Sequence, residues 1–363
     1  MDGRGATRRA FAGPIVVAVS LAFAATGAGL LTGAGAGPRP STGAPPTVTD
    51  KPQDTTVVPA TTTTSVPSPD EGVTSSTAVT PVDSLPPFLD TSDKAAVEAA
   101  WASARSRPRH RMNWTGSVSS CRAGTTAEAF KLDVLTRVNW FRAMAGVPAQ
   151  VELDAESSRL AQEAALVMAA AGDLSHDPDS SWPCYSTDAL IGAGHSNLFL
   201  GVFGVDSIDG YIEDPGEDNL PVGHRRWILD PTLTRIGTGD TRNSNALFVI
   251  QDEFDVDAPT REQDGFVMWP PRGHVPRSQI YPRWSVSHRS ADFSSATVVV
   301  THAGRTKVYR EPYSDNDGYG RMNTLVFEWR RPARGSGPVQ IRVRDIELDG
   351  VFVELDYVVM PFG

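Results

Sequence analysis

The stretch TTAEAFKLDVLTRVNWFRAMAG, Thr125 to Gly146, lies near the middle of the chain and predicts a long helix. Thr125 and Glu128 have the spacing of a capping box, in which each side chain would bind the backbone N–H of the other residue. Gly146 and Pro148 then end the helix. Between the two ends, apolar residues recur at roughly helical spacing: Phe130, Leu132, Leu135, Val138 and Phe141.

More helices and the first strands follow this helix. LDAESSRLAQEAALVMAAAGDLSH predicts a second helix that Asp154 caps and that ends near Gly172. A third, shorter helix is expected over about Ser207 to Ile212, and GHRRWIL, which begins at Gly223, predicts a fourth. RIGTGD and NALFVIQ are the clearest strands of this region. These elements predict an α+β domain over residues 92–256.

From Gly265 onward the sequence contains strand patterns alone. The segments are short, they alternate polar with apolar residues, and turn residues such as Asp349-Gly350 separate them. They are FVMW, RWSVSH, SATVVVTHAG, KVYRE, TLVFEW, VQIRVRDI and VFVELDYVV. This pattern predicts a second, all-β domain over residues 257–363, an antiparallel sandwich that resembles immunoglobulin-like modules.

The N-terminal residues are expected to lie outside both domains. Arg4, Arg8 and Arg9 precede an uncharged run, Phe11 to Ala36, so residues 1–36 have the layout of a secretory signal peptide. An uncleaved membrane anchor is the alternative, because the run is about as long as a membrane-spanning helix. Residues 37–91 are rich in Thr, Ser and Pro and predict a disordered linker. We therefore expect a secreted or cell-surface protein whose only membrane contact is such an anchor.

Charge and cysteine content narrow the expected partners. The 363 residues carry a formal net charge of −10, which argues against nucleic acid as a partner. The short arginine clusters, Arg105 to Arg111 and Arg330 to Arg334, are expected to be solvated. Cys121 and Cys184 are the only cysteines, and an even pair in an exported chain predicts a disulfide.

The helical region resembles the CAP superfamily of cysteine-rich secretory proteins, venom antigen 5 and plant pathogenesis-related proteins. The matching residues include Asn139, Arg142 and Gly146 around the first helix and Ser175-His176-Asp177 after the second. They also include SNLFLG and VGHRRWILDPTLTRIGTGD. The resemblance covers about residues 125–251 and implies an α-β-α sandwich.

The resemblance also implies a cleft with two histidines and two acidic residues. His176 and His224 match the histidines. Glu213 or Asp214 matches one acidic residue, because the inserted DPGEDNLP leaves the register open. Ser196 stands where the family has the glutamate of a Gly-Glu-Asn stretch, so one carboxylate remains at this site.

These residue types suit two kinds of chemistry. His176, His224 and Glu213 are sensible ligands for Zn²⁺ or another divalent cation, held weakly because the second carboxylate is missing. The same groups suit a general base with an orienting carboxylate, with Ser196 as a conceivable nucleophile. His195 is either an extra ligand or an exposed loop residue. The alternative for the two histidines is that they only link helices through buried hydrogen bonds.

The helix predicted from GHRRWIL would form one wall of this cleft. His224 would face the cleft while the apolar residues of the helix face inward. One of Arg225 and Arg226 is expected to pair with Glu213 or Glu217, and the other to be solvated.

Three functions are compatible with these features. The first is a cell-envelope or extracellular binding module without turnover, for a lipid, an envelope component, a metal ion or a protein. The second is a hydrolase of peptide or envelope polymer that uses the two histidines and their acidic partner. The third is adhesion through the C-terminal sandwich. The sequence has no nucleophile elbow and no paired carboxylates, which favours binding without turnover.

Overall fold

The computed structural model describes residues 85–107, 109–251, 255, 258–262, 264–315 and 319–363. The predicted signal peptide or anchor and the linker as far as residue 84 lie outside the described residues. The described residues all belong to one compact unit. Among their helices, none has the length and apolar character needed to cross a membrane.

The helical part contains six α-helices within the described residues. They are α1 (Lys94–Ser106), α2 (Glu128–Ala145), α3 (Ala155–Ala171), α4 (Thr187–Gly194), α5 (Val205–Glu213) and α6 (Gly223–Ile228). Four strands form a sheet in the order β1-β3-β4-β2: β1 (Glu152–Leu153), β2 (Ser196–Leu200), β3 (Arg235–Asp240) and β4 (Ser244–Phe248). The pairs β2–β4 and β3–β4 are antiparallel, and β1–β3 is parallel.

Alternate residues of this sheet face two different helical layers. Ile236 and Leu247 belong to a large core cluster with buried residues of α2, α5 and α6. Leu198 and Ala246 point to the other face, into a smaller cluster with α3 and α4. This period-two division is what a strand buried on both faces requires. The layers confirm the predicted α-β-α sandwich.

The two glycines of RIGTGD allow α3 to lie directly on β3. A Cβ atom added to Gly237 would be 2.1 Å from the carbonyl carbon of Ser157. One added to Gly239 would be 2.2 Å from the carbonyl carbon of Ala161. Both distances are far below van der Waals contact, so only glycine permits this close approach of backbones.

The helix ends agree with the sequence in most places. Asp154 caps α3 by accepting a hydrogen bond from the Ser157 N–H at 2.7 Å. Gly146 and Gly172 end α2 and α3 in the left-handed conformation, with φ of 77° and 68°. These are the positions at which the sequence predicted the ends.

The capping box predicted at Thr125 and Glu128 is wrong. Helix α2 begins at Glu128, and the preceding Ala127 makes no side-chain cap. The backbone of Thr125 is instead paired with Thr115, whose N–H donates to the Thr125 carbonyl at 3.0 Å. That pairing holds Thr125 in an extended segment, where its hydroxyl donates to the carbonyl of Thr126.

Helices α1 and α4 were missed by the sequence analysis. Helix α1 has apolar residues at helical spacing, which pack against the core around the buried Val97: Ala96, Ala100, Trp101 and Ala104. Helix α4 ends in GAG, which disfavours a helix by propensity. Tertiary packing overrides that preference, because a Cβ on Gly192 would lie 2.1 Å from the Leu160 carbonyl oxygen of α3.

The C-terminal part is all-β, as predicted, and forms two sheets. Their strands are β5 (Val267–Trp269), β6 (Gly273–Pro276), β7 (Arg283–His288), β8 (Thr297–His302), β9 (Arg305–Tyr309), β10 (Tyr313–Asp315), β11 (Asn323–Glu328), β12 (Val339–Leu348) and β13 (Val351–Phe362). The orders are β10-β11-β7-β5 and β6-β13-β12-β8-β9. Strands β6 and β10 were not predicted, and β6 pairs with β13 in parallel, whereas the other pairs are antiparallel.

The main core cluster is continuous between the helical and the all-β part. Phe141 of α2 packs edge-on against Trp269 of β5, with ring centroids 5.2 Å apart. Residues at the end of the predicted linker join the same unit, because Leu89 is buried and its N–H donates to the Ala143 carbonyl. The division into two domains at residue 256 stays a prediction.

The predicted disulfide is confirmed. Cys121 and Cys184 are bonded, with their Cα atoms 5.0 Å apart. The bond links the segment before α2 to the loop before α4. It therefore ties down the loop that carries His176.

Candidate functional site

Of the three candidate histidines, His224 is the most buried. It lies at the N-terminal end of α6 and is only 4% exposed. Its Nδ1 lies 2.8 Å from Oδ1 of Asp214, a carboxylate that is completely buried at the end of α5. Since a carboxylate accepts hydrogen bonds, Nδ1 carries the proton and Nε2 keeps its lone pair in the neutral ring.

Asp214 also holds the first turn of α6. Its Oδ2 accepts the backbone N–H of His224 at 3.1 Å and that of Arg225 at 3.3 Å. A carboxylate at a helix N-terminus satisfies N–H groups that have no partner within the helix. One side chain therefore fixes both the helix start and the imidazole tautomer. In the structure, the carboxylate that pairs with His224 is Asp214.

A hydrogen-bonded network of buried polar groups packs against the imidazole of His224. The ring of Tyr211 stacks on that of His224, with centroids 5.4 Å apart. The Tyr211 hydroxyl lies 2.9 Å from the Asn197 carbonyl oxygen and from Oδ1 of Asn245. The Asn197 amide donates to the His224 carbonyl at 3.0 Å. Burial raises the pKa of Tyr211 well above its usual value, so the hydroxyl remains a donor.

Asp240 lies at the far end of this network. It accepts hydrogen bonds from the Gly204 N–H at 2.7 Å, from the Asn245 amide at 2.9 Å and from the Thr238 hydroxyl at 3.1 Å. Burial nevertheless raises the pKa of Asp240 to about 6. None of these supporting residues was singled out from sequence. Asn197 lies within SNLFLG, which the sequence analysis gave only as part of the family resemblance, without a role for its amide.

Ser196 lies beside this network but is not joined to it by a side-chain hydrogen bond. It begins β2, is 2% exposed, and its Oγ has no hydrogen-bond partner among the residues that the structure describes. A serine nucleophile needs a base within hydrogen-bond reach. The described structure therefore does not bring Ser196 and His224 together as a nucleophile and its base.

His176 and His195 are both attached to the C-terminal end of α4. Nδ1 of His176 lies 2.9 Å from the Ala193 carbonyl oxygen, and Nδ1 of His195 lies 2.8 Å from that of Ile191. His195 also stacks on Phe248, with centroids 5.2 Å apart. Both side chains are half-buried. The unpredicted helix α4 thus supplies the acceptors that orient both rings.

The predicted metal ligands do not form a compact set. Within the described ranges, no three His, Cys, Asp or Glu residues come together as a group that could hold a metal ion. Nδ1 of His224 faces Asp214, and the carboxylate of Asp214 already accepts three hydrogen bonds. The half-buried Glu213 meets Arg225 through its backbone carbonyl, at 3.3 Å from Nη2. These donors do not fit a three-ligand zinc site, and zinc binding stays a prediction.

The expectation for Arg225 is wrong. Its side chain is 1% exposed and bonds to the Ile212 carbonyl at 2.7 Å and to the Ser285 hydroxyl at 3.0 Å. Burial lowers the pKa of Arg225 to about 10, which leaves it charged at neutral pH. Strand β7 covers this side of α6, which explains why neither solvent nor an acidic side chain is its main partner.

Arg226 is not solvated either. It is 4% exposed, and its Nη1 lies 2.8 Å from Oδ2 of Asp315 in β10. Its Nη2 donates to the Met322 carbonyl at 2.6 Å. The two arginines of GHRRWIL therefore connect α6 to the all-β part, through partners that are 60 to 96 residues away.

Arg142, one of the residues that carry the family resemblance, has a structural role. It is completely buried, and it donates to the carbonyls of Ile228 and Asp230 at 2.7 Å and of Leu233 at 3.1 Å. Burial lowers the pKa of Arg142 to about 9. Arg142 thereby fixes the segment that follows α6 onto α2.

Comparison with known proteins assigns this region. Residues 135–252 match the family described as CAP, the cysteine-rich secretory protein family. The match contains Arg142, His176, Asp214 and His224. No curated protein and no solved structure is similar enough to the chain to match it.

Proposed function

Residues 135–252 form a CAP domain, a domain type that is typically extracellular, and from this premise we propose that the protein is an exported binding protein that acts without turnover. The ligand contacts the cleft at Nε2 of His224. Its class is a lipid, a cell-envelope component or a protein that offers a hydrogen-bond donor. The predicted signal peptide or anchor supplies the export or the attachment to the cell surface.

The observation that carries this proposal is the Asp214–His224 pair. The 2.8 Å contact to a buried carboxylate fixes the ring so that Nε2 is an acceptor. No hydrogen bond joins Nε2 to any residue that the structure describes, and the ring is held rigidly by Tyr211. A fixed, unused acceptor on a rigid support is suited to recognition, because little side-chain entropy is lost on binding.

The test is native mass spectrometry of the full chain purified from cells that export it. We expect the wild-type protein to carry a ligand that is lost in His224→Ala. His302→Ala is the matched control, since His302 lies in β8 and bonds to the Pro338 carbonyl. Lipid extraction of the wild-type sample then identifies a lipid ligand. Equal ligand content in wild type and His224→Ala contradicts the proposal.

A hydrolase is the second candidate, and the same Asp–His pair favours it. An imidazole oriented by a carboxylate through Nδ1 can act as a general base on a water molecule at Nε2. In that case the wild-type protein releases product from a peptide or an envelope polymer, and His224→Ala does not. Ser196→Ala keeps the activity, because Ser196 has no base beside its hydroxyl. Absence of product release from the wild type leaves binding as the function.

A further inference from the structure

A cavity lies between the C-terminal end of α1, α2 and the first residue of α5, and neither His176 nor His224 lines it. Its volume is about 240 Å³. Four arginines line it, together with Asp133 and Trp140: Arg105, Arg107, Arg109 and Arg137. Three of the four belong to the cluster that the sequence analysis expected to be simply solvated. A concentration of positive charge is notable in a chain whose formal net charge is −10.

The positive charge of this cavity is only partly neutralised. Arg109 pairs with Asp206 at 2.8 Å. Arg105 and Arg107 form no ion pair with any acidic residue that the structure describes. Asp133 also lines the cavity and brings a negative charge; it accepts the His110 N–H at 2.7 Å and lies 3.1 Å from His110 Nδ1.

Two buried donors in the lining have no acceptor. The side chain of Arg137 is 10% exposed, its Nε lies 3.5 Å from Asp209, and its Nη1 has no hydrogen-bond partner among the described residues. Trp140 is completely buried, and its indole N–H also lacks a partner within the described part of the chain. Buried donors without acceptors are unusual in native proteins, and each one calls for an explanation.

The guanidinium groups are held in place by an aromatic side chain. Arg105 and Arg137 both lie over the ring of Trp101, at 5.9 and 5.5 Å from its centroid. Trp101 in turn packs on Trp140, with centroids 5.2 Å apart. Cation–π contacts of this kind orient the charged groups without neutralising them.

We propose that this cavity binds the phosphate group of a small phosphomonoester or of a lipid headgroup. A phosphate oxygen accepts hydrogen bonds from the guanidinium N–H groups of the arginines that line the cavity, and its charge balances Arg105 and Arg107. The planar fork of arginine matches phosphate geometry. The cavity is about eight times the roughly 30 Å³ share of one water molecule in the liquid, so it admits a phosphate and part of its substituent. The proposal is independent of the histidine cleft.

The test compares two matched double variants of the full chain. Arg105→Gln with Arg107→Gln removes the two unpaired charges and breaks no hydrogen bond between described residues. Arg305→Gln with Arg310→Gln makes the same change of charge on exposed residues of the all-β part. Glycerol 1-phosphate is titrated calorimetrically into each protein in a phosphate-free, low-salt buffer. Vesicles of phosphatidic acid in phosphatidylcholine, and of phosphatidylcholine alone, form the second arm.

We expect wild type and the control to bind equally, and the Arg105/Arg107 variant to bind at least about tenfold more weakly, since each hydrogen bond to a charged group contributes about that factor. Binding to phosphatidic acid vesicles but not to glycerol 1-phosphate identifies a lipid headgroup as the source. Absence of both, or equal weakening in the two double variants, overturns the proposal. If the His224→Ala variant binds the phosphate probe as tightly as the wild type does, this site is separate from the one at His224.

Discussion

Replacement of Asp214 tests the central contact of the candidate site. The wild-type carboxylate accepts three hydrogen bonds: one from Nδ1 of His224 and two from the backbone N–H groups of His224 and Arg225. An amide at this position keeps one acceptor oxygen for the backbone. Its NH₂ group then faces Nδ1, so the ring must move its proton to Nε2. We therefore expect Asp214→Asn to switch the tautomer of His224.

The loss of stability follows from the donors that remain unpaired. Asp214→Ala leaves three buried donors without an acceptor, and each costs about 1–3 kcal/mol. We therefore expect a decrease of at least about 3 kcal/mol in the free energy of unfolding. Asp214→Asn can keep three hydrogen bonds but makes all of them neutral, so it should cost less than Asp214→Ala, about 1–2 kcal/mol. Both values are large compared with the free energy of unfolding of a typical protein, about 5–15 kcal/mol.

Two measurements on the full chain check these expectations. Long-range ¹H–¹⁵N correlation spectra of histidine-labelled protein report the tautomer, at a pH about two units above the ordinary imidazole pKa of roughly 6.5. Urea unfolding reports stability. Asp218→Asn and Asp218→Ala are the matched controls, because Asp218 is exposed, and they should shift stability by less than about 0.5 kcal/mol. A protonated Nε2 in the wild type, or equal stability of Asp214→Ala and Asp218→Ala, refutes the reasoning.

The remaining predictions concern pH, covalent links and the contact between the two parts. Burial raises the pKa of Asp240 to about 6 from 3.8, so the folded protein binds this proton more tightly than the unfolded chain does. The stability that the proton contributes is full below about pH 4 and is lost as pH rises through 6. Asp240→Asn should therefore exceed wild type at pH 7 by up to about 3 kcal/mol in urea unfolding, and the gap should close towards pH 4; a constant gap contradicts this. Replacing Cys121 and Cys184 by serine should lower the free energy of unfolding by roughly 4 kcal/mol, given their separation of 63 residues, and no change would refute the chain-entropy argument. Arg226→Ala removes the ion pair to Asp315 and the hydrogen bond to the Met322 carbonyl and should cost about 3 kcal/mol, with the helical and all-β parts still unfolding together by circular dichroism and tryptophan fluorescence; two separate transitions would support independent domains. Zinc added to metal-free protein should give at most a weak calorimetric signal that disappears when both cleft histidines are alanine, and an unchanged signal rules the metal site out.

Local sequence signals predicted the helices and strands where local physics decides the structure. Asp154 caps α3 because its side chain reaches the Ser157 N–H, and Gly146 ends α2 because it adopts a positive φ. The strand RIGTGD was found with its observed bounds. Its glycines also have a tertiary reason, the close approach of α3, which became visible only once the helix was in place.

Elements that depend on tertiary contacts could not be predicted in the same way. Thr125 has the right spacing for a capping box, but its pairing with Thr115 takes precedence. Helix α4 has weak helical propensity and is stabilised by its packing on α3 through Gly192. Strand β6 is four residues long and includes a proline, and it exists because β13 extends far enough to pair with it.

The candidate site was predictable in composition but not in geometry. Sequence named His224 and offered Glu213 or Asp214 as its partner. Only the left-handed turn at Asp214, with φ of 54°, decides which carboxylate faces the imidazole. The supporting hydroxyl of Tyr211 and amide of Asn197 come from distant elements, and no spacing rule connects them to His224.

The same short helix serves the site and the contact with the all-β part. His224 and Arg225 share the Asp214 carboxylate through adjacent backbone N–H groups, and the Arg225 guanidinium bonds to Ser285 in β7. A change in the packing of β7 therefore acts on the residue next to the imidazole. A ligand that binds Nε2 of His224 only in the folded protein stabilises α6. By mass action it also raises the free energy of unfolding of every part of the protein that unfolds together with α6. Because Arg225 and Arg226 are fixed by the C-terminal sheets, we infer that the geometry of the His224 site depends on those sheets as well as on the helical part.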